Sequence, residues 1–199
     1  MRYLLFVMIG LSFFKISEAQ ELVSIVDTLT GKIGFIDKND SLVVPYIYES
    51  HNKCTYEFKD SICLVRRNCK YGYINSIGKE FIECKYTYLG PLSEGLIASV
   101  YKDTIPISSY LDTKGDVVLK IRGWFPSDFH SGLARYRSNG KYGYINKVGV
   151  IVIPNIYDYA SDFDNGKATV NFEDKEIRVI NTQGDILTKR KFPRNNETE

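Results

Sequence analysis

A short pattern that returns along the chain constrains the fold more than any other feature. It reads Lys32-Ile33-Gly34-Phe35-Ile36-Asp37, Lys70-Tyr71-Gly72-Tyr73-Ile74-Asn75 and Lys141-Tyr142-Gly143-Tyr144-Ile145-Asn146. Reduced copies are Ser108-Ser109-Tyr110-Leu111-Asp112 and Ile177-Arg178-Val179-Ile180-Asn181. The second aromatic position therefore falls at 35, 73, 110, 144 and 179, a spacing of 34 to 38 residues. Self-similarity at such a period marks a repeat architecture, in which no unit buries its apolar surface alone and neighbours must stack.

Two further motifs keep the same order. One starts at Phe58, Leu92, Phe129 and Phe163, and reads Phe129-His130-Ser131-Gly132-Leu133-Ala134 in its third copy. The other is Val44-Pro45-Tyr46-Ile47-Tyr48-Glu49, matched by Ile153-Pro154-Asn155-Ile156-Tyr157-Asp158. Together they resemble the WG repeat, a bacterial β-repeat family whose unit runs roughly G-K-[WY]-G-[YF]-I-[DN]-x-x-G, then V-I-P-x-x-Y-[DE], then F-S-E-G-L-A. The resemblance covers about residues 22–187. It departs at the family's Trp, which is Ile33 or Tyr here, and the third copy lacks the Gly-Lys start. It implies a repeat scaffold and carries over no catalytic residue.

Local chemistry predicts how a unit is built. Asn139-Gly140 lies between two β-rich runs, and Asn-Gly is the strongest two-residue hairpin signal because both positions need φ > 0. That turn sets Arg137 opposite Tyr142, Tyr136 opposite Gly143, Arg135 opposite Tyr144 and Ala134 opposite Ile145. The same register pairs Arg66 with Tyr71, Val65 with Gly72, Leu64 with Tyr73 and Cys63 with Ile74. The glycines are expected to leave room for the side chain opposite, Tyr136 or Val65. Cys69 occupies the turn position that Gly140 holds. Alternation then sorts Ala134, Tyr136 and Ile145 from Arg135, Arg137, Tyr142 and Tyr144, and neither face is cleanly polar, so successive hairpins must stack. The expected fold is all-β: tandem hairpin repeats forming a curved meander or solenoid, with a closed propeller-like ring as the alternative. Asp37, Asn75, Asp112, Asn146 and Asn181 close the aromatic strands and are read as side-chain-capped turns, with too few carboxylates nearby for calcium.

The ends have their own signatures. Arg2 precedes an apolar run from Tyr3 to Phe14, and Ser17 and Ala19 are small residues at a cleavage site after Ala19. Residues 1–19 read as a secretory signal peptide, since the run is shorter than the about 20 residues a membrane helix needs. A repeat domain at 20–187 and a polar tail at 188–199 follow, and the destination expected is secreted or periplasmic. The tail's Lys189, Arg190, Lys191 and Arg194 are read as a solvated end.

Chemistry is thinly marked. With 26 basic against 24 acidic residues the chain has no nucleic-acid footprint. No nucleophile elbow, phosphate loop or metal-ligand spacing is present. Cys54, Cys63, Cys69 and Cys84 sit in one window at spacings that include no C-x-x-C pair, and are read as free thiols or disulfide partners. His51 and His130 are read as surface residues. Asp162/Asp164 and Glu173/Asp174 are read as loop charges. No enzyme activity, metal or cofactor is expected. The expectation is a binding scaffold for a protein, peptide or glycan partner at the bacterial envelope, with no membrane span once the signal is cleaved. Its candidate surface is Arg66, Tyr71, Tyr73, Arg135, Tyr142 and Tyr144, of which Tyr73 and Tyr144 lean towards the core, with the loop from His51 to Tyr56 as the fallback. Alternatives are an envelope hydrolase, which convergent carboxylates in a pocket would favour, and a purely structural spacer.

Overall fold

The computed structural model describes residues 22–102, 106–121, 126–172 and 176–190. The signal segment, Glu173/Asp174, and Lys191 and Arg194 of the tail lie outside these residues. Every regular element described is a strand, and no described helix is long and apolar enough to cross a membrane.

The strands form five separate antiparallel meanders in chain order. The first sheet holds β1 (Val23–Val26), β2 (Lys32–Ile36) and β3 (Leu42–Glu49). The second holds β4 (Ile62–Arg67), β5 (Lys70–Asn75) and β6 (Glu80–Tyr86). The third has β7 (Tyr88–Ser93), β8 (Leu96–Lys102), β9 (Pro106–Leu111) and β10 (Val117–Ile121). The fourth has β11 (Leu133–Ser138), β12 (Lys141–Asn146) and β13 (Ile151–Tyr157). The fifth has β14 (Tyr159–Ala160), β15 (Lys167–Asn171), β16 (Ile177–Asn181) and β17 (Ile186–Arg190). Among the described residues no strand pairing joins the first sheet to the last.

The hairpin register read from Asn139-Gly140 is the register observed, from Ala134↔Ile145 to Arg137↔Tyr142 and from Cys63↔Ile74 to Arg66↔Tyr71. Both turns are left-handed at both positions, Asn139 and Gly140 at φ 49° and 81°, Asn68 and Cys69 at 51° and 59°. Cys69 thus holds a conformation that a side chain rarely adopts.

The strand glycines have a different cause from the one expected. The third strand of each unit bulges where it passes them: Tyr142 pairs with Tyr157 but Tyr144 with Ile153, and Tyr71 with Tyr86 but Tyr73 with Ile82. A Cβ on Gly143 would lie 2.4 Å from the Ile153 carbonyl oxygen, and one on Gly72 2.5 Å from that of Ile82. The space serves the bulged backbone on the far side of the strand, and neither Tyr136 nor Val65 is what fills it.

The capped turns are as read. Asn75 Oδ1 accepts from the amides of Ile77 and Lys79, Asp112 from Lys114 and Asp116, Asn146 from Val148 and Val150, and Asn181 from Gln183 and Asp185. Three residues on, Gly78, Gly115, Gly149 and Gly184 rest against Val44, Ile82, Leu119 and Ile153. Each of these belongs to the last strand of the preceding sheet, so every turn also sets the spacing between sheets.

Both faces of the fourth sheet are buried, as the lack of a polar face required. Ala134 and Ile145 pack with Ala98, Tyr110 and Phe129 towards the third sheet. Tyr144, Ile153 and Tyr157 pack with Ala160, Phe163, Val170 and Ile180 towards the fifth. The first three sheets share one core through Phe35, Tyr48, Cys63, Val65, Tyr73, Ile74 and Ile97.

Candidate functional site

The recurring tyrosine at the second aromatic position ties each unit to the next. Tyr73 Oη donates to the Gly90 carbonyl at 2.9 Å, Tyr110 to Ser127 at 2.7 Å, and Tyr144 to Ser161 at 2.7 Å. The acceptor lies two residues before the start of the next F-S-E-G-L-A-type motif, and where that motif starts with Phe its ring stacks on the tyrosine. Ring centroids are 4.7 Å apart in both Tyr110–Phe129 and Tyr144–Phe163. Burial pushes all three phenols well above their ordinary range.

This places the six surface candidates. Tyr73 and Tyr144 are core, with relative exposures of 5% and 0%. Tyr71 is buried too, its hydroxyl 3.2 Å from His51 Nδ1 and its ring under the Arg66 guanidinium. Arg66 bonds the Glu49 carboxylate at 2.9 Å. These four form no exposed stripe. Arg135 and Tyr142 are half-buried and border a cleft of about 320 Å³ with Tyr88, Ser127, Asp128, Arg137 and Asp162.

The cleft crosses unit boundaries. Tyr88 comes from β7, Ser127 and Asp128 from the segment that enters the fourth sheet, Arg135, Arg137 and Tyr142 from the hairpin β11–β12, and Asp162 from the loop between β14 and β15 of the fifth. Tyr142 lies under two guanidinium groups, Arg135 at 5.6 Å and Arg137 at 5.1 Å from the ring centre. Arg135 Nη1 donates to the Ala160 carbonyl at 2.8 Å and Nε approaches Asp162 Oδ1 at 3.4 Å. Ser127 Oγ accepts from the Arg135 amide at 2.7 Å and fixes the strand's start.

Asp128 is the anomaly in its charge. Its Oδ1, like that of Asp162, is buried with no hydrogen-bond partner among the described residues, but Asp162 has the Arg135 guanidinium at 3.4 Å and Asp128 has no ion pair there. Burial raises its pKa, with the Asp162 charge adding and His130 opposing. The cleft therefore offers two carboxylates, two guanidinium groups and two phenol rings: donors, acceptors and flat faces on one polar ligand's scale. Sequence reading treated Asp162 as a loop charge and passed over Asp128. The available signal was its position, directly before the motif's Phe, where Asp162 also stands.

The four thiols are free. Cys54 and Cys63 are buried, and burial pushes Cys63 up to about 12 and Cys84 to about 12. Such thiols are protonated and poor nucleophiles. No metal-binding cluster occurs among the described residues.

Two segments, 71–103 and 142–175, match the family described as the WG containing repeat. These two segments are WG repeats. Each matched segment starts on the middle strand of one sheet and ends in or beside the next, so the WG sequence unit is out of phase with the sheet. No curated protein sequence matches the chain. Among solved structures, a eukaryotic initiation factor aligns with a TM-score of 0.54 at 11% identity, over 88% of this chain and 53% of that one, a likeness of fold alone. The designed protein Ika8 aligns at 0.49 and 15%, over 85% and 57%, and the WD40 β-propeller domain of Doa1 at 0.41 and 13%, over 86% and 66%. The chain spans about half to two thirds of the length of these structures.

Proposed function

We propose that this WG-repeat chain is an exported, non-enzymatic scaffold that binds a protein, peptide or glycan partner at the bacterial envelope, and that the cleft between its third, fourth and fifth units is the binding site. One observation carries the reading: Tyr88, Asp128, Arg137, Tyr142 and Asp162, from three successive units, border a single polar cleft. A site that crosses unit boundaries is what a stacked-repeat scaffold offers, since one unit alone presents too little surface. Tyr and Arg are also the side chains that contribute most where a partner docks. The test is a peptide and glycan array probed with the full mature chain and with Tyr142→Ala. Loss of the array signals in a folded variant supports the reading, and an unchanged pattern removes the site from this cleft.

Export is part of the proposal. Mass spectrometry of the protein recovered from a producing bacterium is expected to find Gln20 as the first residue, and an intact Met1 on cytoplasmic protein refutes it.

Asp128 and Asp162 in one cleft favour a second reading, an envelope hydrolase using paired carboxylates. Turnover of glycan fragments that is abolished in both Asp128→Asn and Asp162→Asn establishes that reading in place of the first.

A further inference from the structure

We propose that the cleft at Asp128 receives a cationic group, a guanidinium or ammonium carried by a partner's peptide chain, in the role that the protein fills for itself with Arg135 one unit later. The proposal rests on the binding reading above and names the chemistry of the ligand.

The repeat itself supplies the comparison. The motif that opens a unit starts at Phe58, Leu92, Phe129 and Phe163, and the residues directly before it are Glu57, Pro91, Asp128 and Asp162. Six positions after each motif start stand Leu64, Ala98, Arg135 and Thr169, each paired with the residue at the second aromatic position, Tyr73, Tyr110, Tyr144 or Val179. The residue before one motif meets the residue six positions into the previous one. At the later junction this gives Asp162 beside Arg135, a charge pair. At the earlier junction it gives Pro91 and Leu64, which border one hollow and are both apolar. Between them stand Asp128 and Ala98. Both lie at Gly90 beside the Tyr88 hydroxyl: an added Cβ would be 2.5 Å from Asp128 Oδ1, 3.3 Å from Tyr88 Oη and 3.4 Å from Ala98 Cβ. One junction thus carries an ion pair and another two apolar residues around a hollow. The third sets a carboxylate against a methyl group.

No ion pair among the described residues completes that place. Arg135 is turned to Asp162 and the Ala160 carbonyl. Arg137 lies over Tyr142, with Nε directed at the Gly140 carbonyl at 3.4 Å. Asp128 makes no ion pair among the described residues, and its orphaned oxygen is an arrangement that folding alone disfavours. In a cleft where Arg135 already faces Asp162, the Asp128 carboxylate with the phenol walls of Tyr88 and Tyr142 suits a further guanidinium or ammonium, which bonds the acid and lies on the rings. At about 320 Å³ the cleft is at the small end of ligand sites, roughly 300–1,000 Å³, the scale of one side chain with its flanking backbone.

The experiment is calorimetric titration of the mature chain at pH 7.5 with acetyl-Gly-Gly-Arg-Gly-Gly-amide and with its citrulline counterpart, which keeps the shape and removes the charge. The arginine peptide is expected to bind at least tenfold more tightly than the citrulline one. Asp128→Asn is expected to lose at least tenfold in arginine-peptide affinity while its thermal midpoint stays the same or rises, which separates lost binding from lost folding. Equal binding of the two peptides, or undiminished binding by Asp128→Asn, overturns the cationic ligand and leaves a binding cleft of other chemistry. If neither pentapeptide binds but array ligands still depend on Tyr142, the cation proposal falls and the scaffold reading stands. If no ligand depends on the cleft at all, both fall.

Discussion

Replacing Tyr144 by Phe removes one oxygen and leaves the ring. In the structure that oxygen donates to the Ser161 carbonyl at 2.7 Å, while the ring is fully buried and lies 4.7 Å from that of Phe163. A hydrogen bond of this kind contributes about 0.5–1.5 kcal/mol net, and an acceptor left unpaired in a buried place costs the upper end of that range or more. For a domain of this size about 1 kcal/mol lowers the thermal midpoint by roughly 2–4 °C. Tyr144→Ala also loses the ring and leaves a cavity, and is expected to cost about 3–5 kcal/mol. Tyr142→Ala is the control. Its ring is half-buried and mainly carries the Arg135 and Arg137 guanidiniums, so about 1 kcal/mol or less is at stake. Urea unfolding followed by circular dichroism ranks the three variants. Tyr73→Phe and Tyr110→Phe should behave as Tyr144→Phe does, because each donates to the equivalent carbonyl. If Tyr144→Phe proves neutral, or Tyr142→Ala costs as much as Tyr144→Ala, the recurring hydroxyl is not what joins the units.

Gly143→Ala is expected to destabilise by about 1–3 kcal/mol, since the new Cβ meets the Ile153 carbonyl. Combining it with Tyr136→Ala should recover nothing, and a recovery seen in denaturant midpoints would restore the side-chain explanation. Gly140→Val should cost about 1 kcal/mol or more through its φ of 81°, whereas Cys69→Gly should be neutral or stabilising by up to about 1 kcal/mol at the same turn position. A clear loss for Cys69→Gly would refute the shared turn geometry. Because burial raises the Asp128 pKa, the native state binds more protons than the unfolded chain above the ordinary carboxylate value. Stability attributable to this group therefore falls as pH rises through that window. Asp128→Asn should be more stable than the wild type at neutral pH, with the difference closing as pH falls below the ordinary carboxylate value. A constant difference across a pH series of thermal midpoints contradicts the assignment.

The parts of this fold governed by local chemistry were open to reading from residues alone. Asn139-Gly140 fixed a register to the residue, and the Asx positions at 75, 112, 146 and 181 announced capped turns. The unpolarised strand faces required stacking, and both faces are indeed covered. What depends on a third partner was not legible. The bulge over Gly72 and Gly143 belongs to β6 and β13, whose pairing no local signal specifies. The cleft joins residues 74 positions apart, from Tyr88 to Asp162, so it becomes visible only when the sheets are stacked. Tyr71 and Tyr142 share a motif position yet differ, because His51 and Glu49 crowd the first with its Arg66 while the second opens on the cleft.

The offset between sequence unit and sheet bears on how such a chain lengthens. The first matched segment begins on β5 and runs just past β8, so it carries two strands of one sheet and the opening strands of another. Inserting a second copy behind it would hand the open strand β8 a new aromatic strand to pair with. The copy's own final strand would meet β9. Neither splice point would leave an unsatisfied row of amides and carbonyls. A gene duplicating such a segment in tandem adds one whole sheet while every junction is closed by a hairpin of the kind already present. Length can then change by internal copying without a new folding problem, and each added sheet brings one more junction whose two facing positions are free to diverge, to an apolar pair, to an ion pair, or to a place left open.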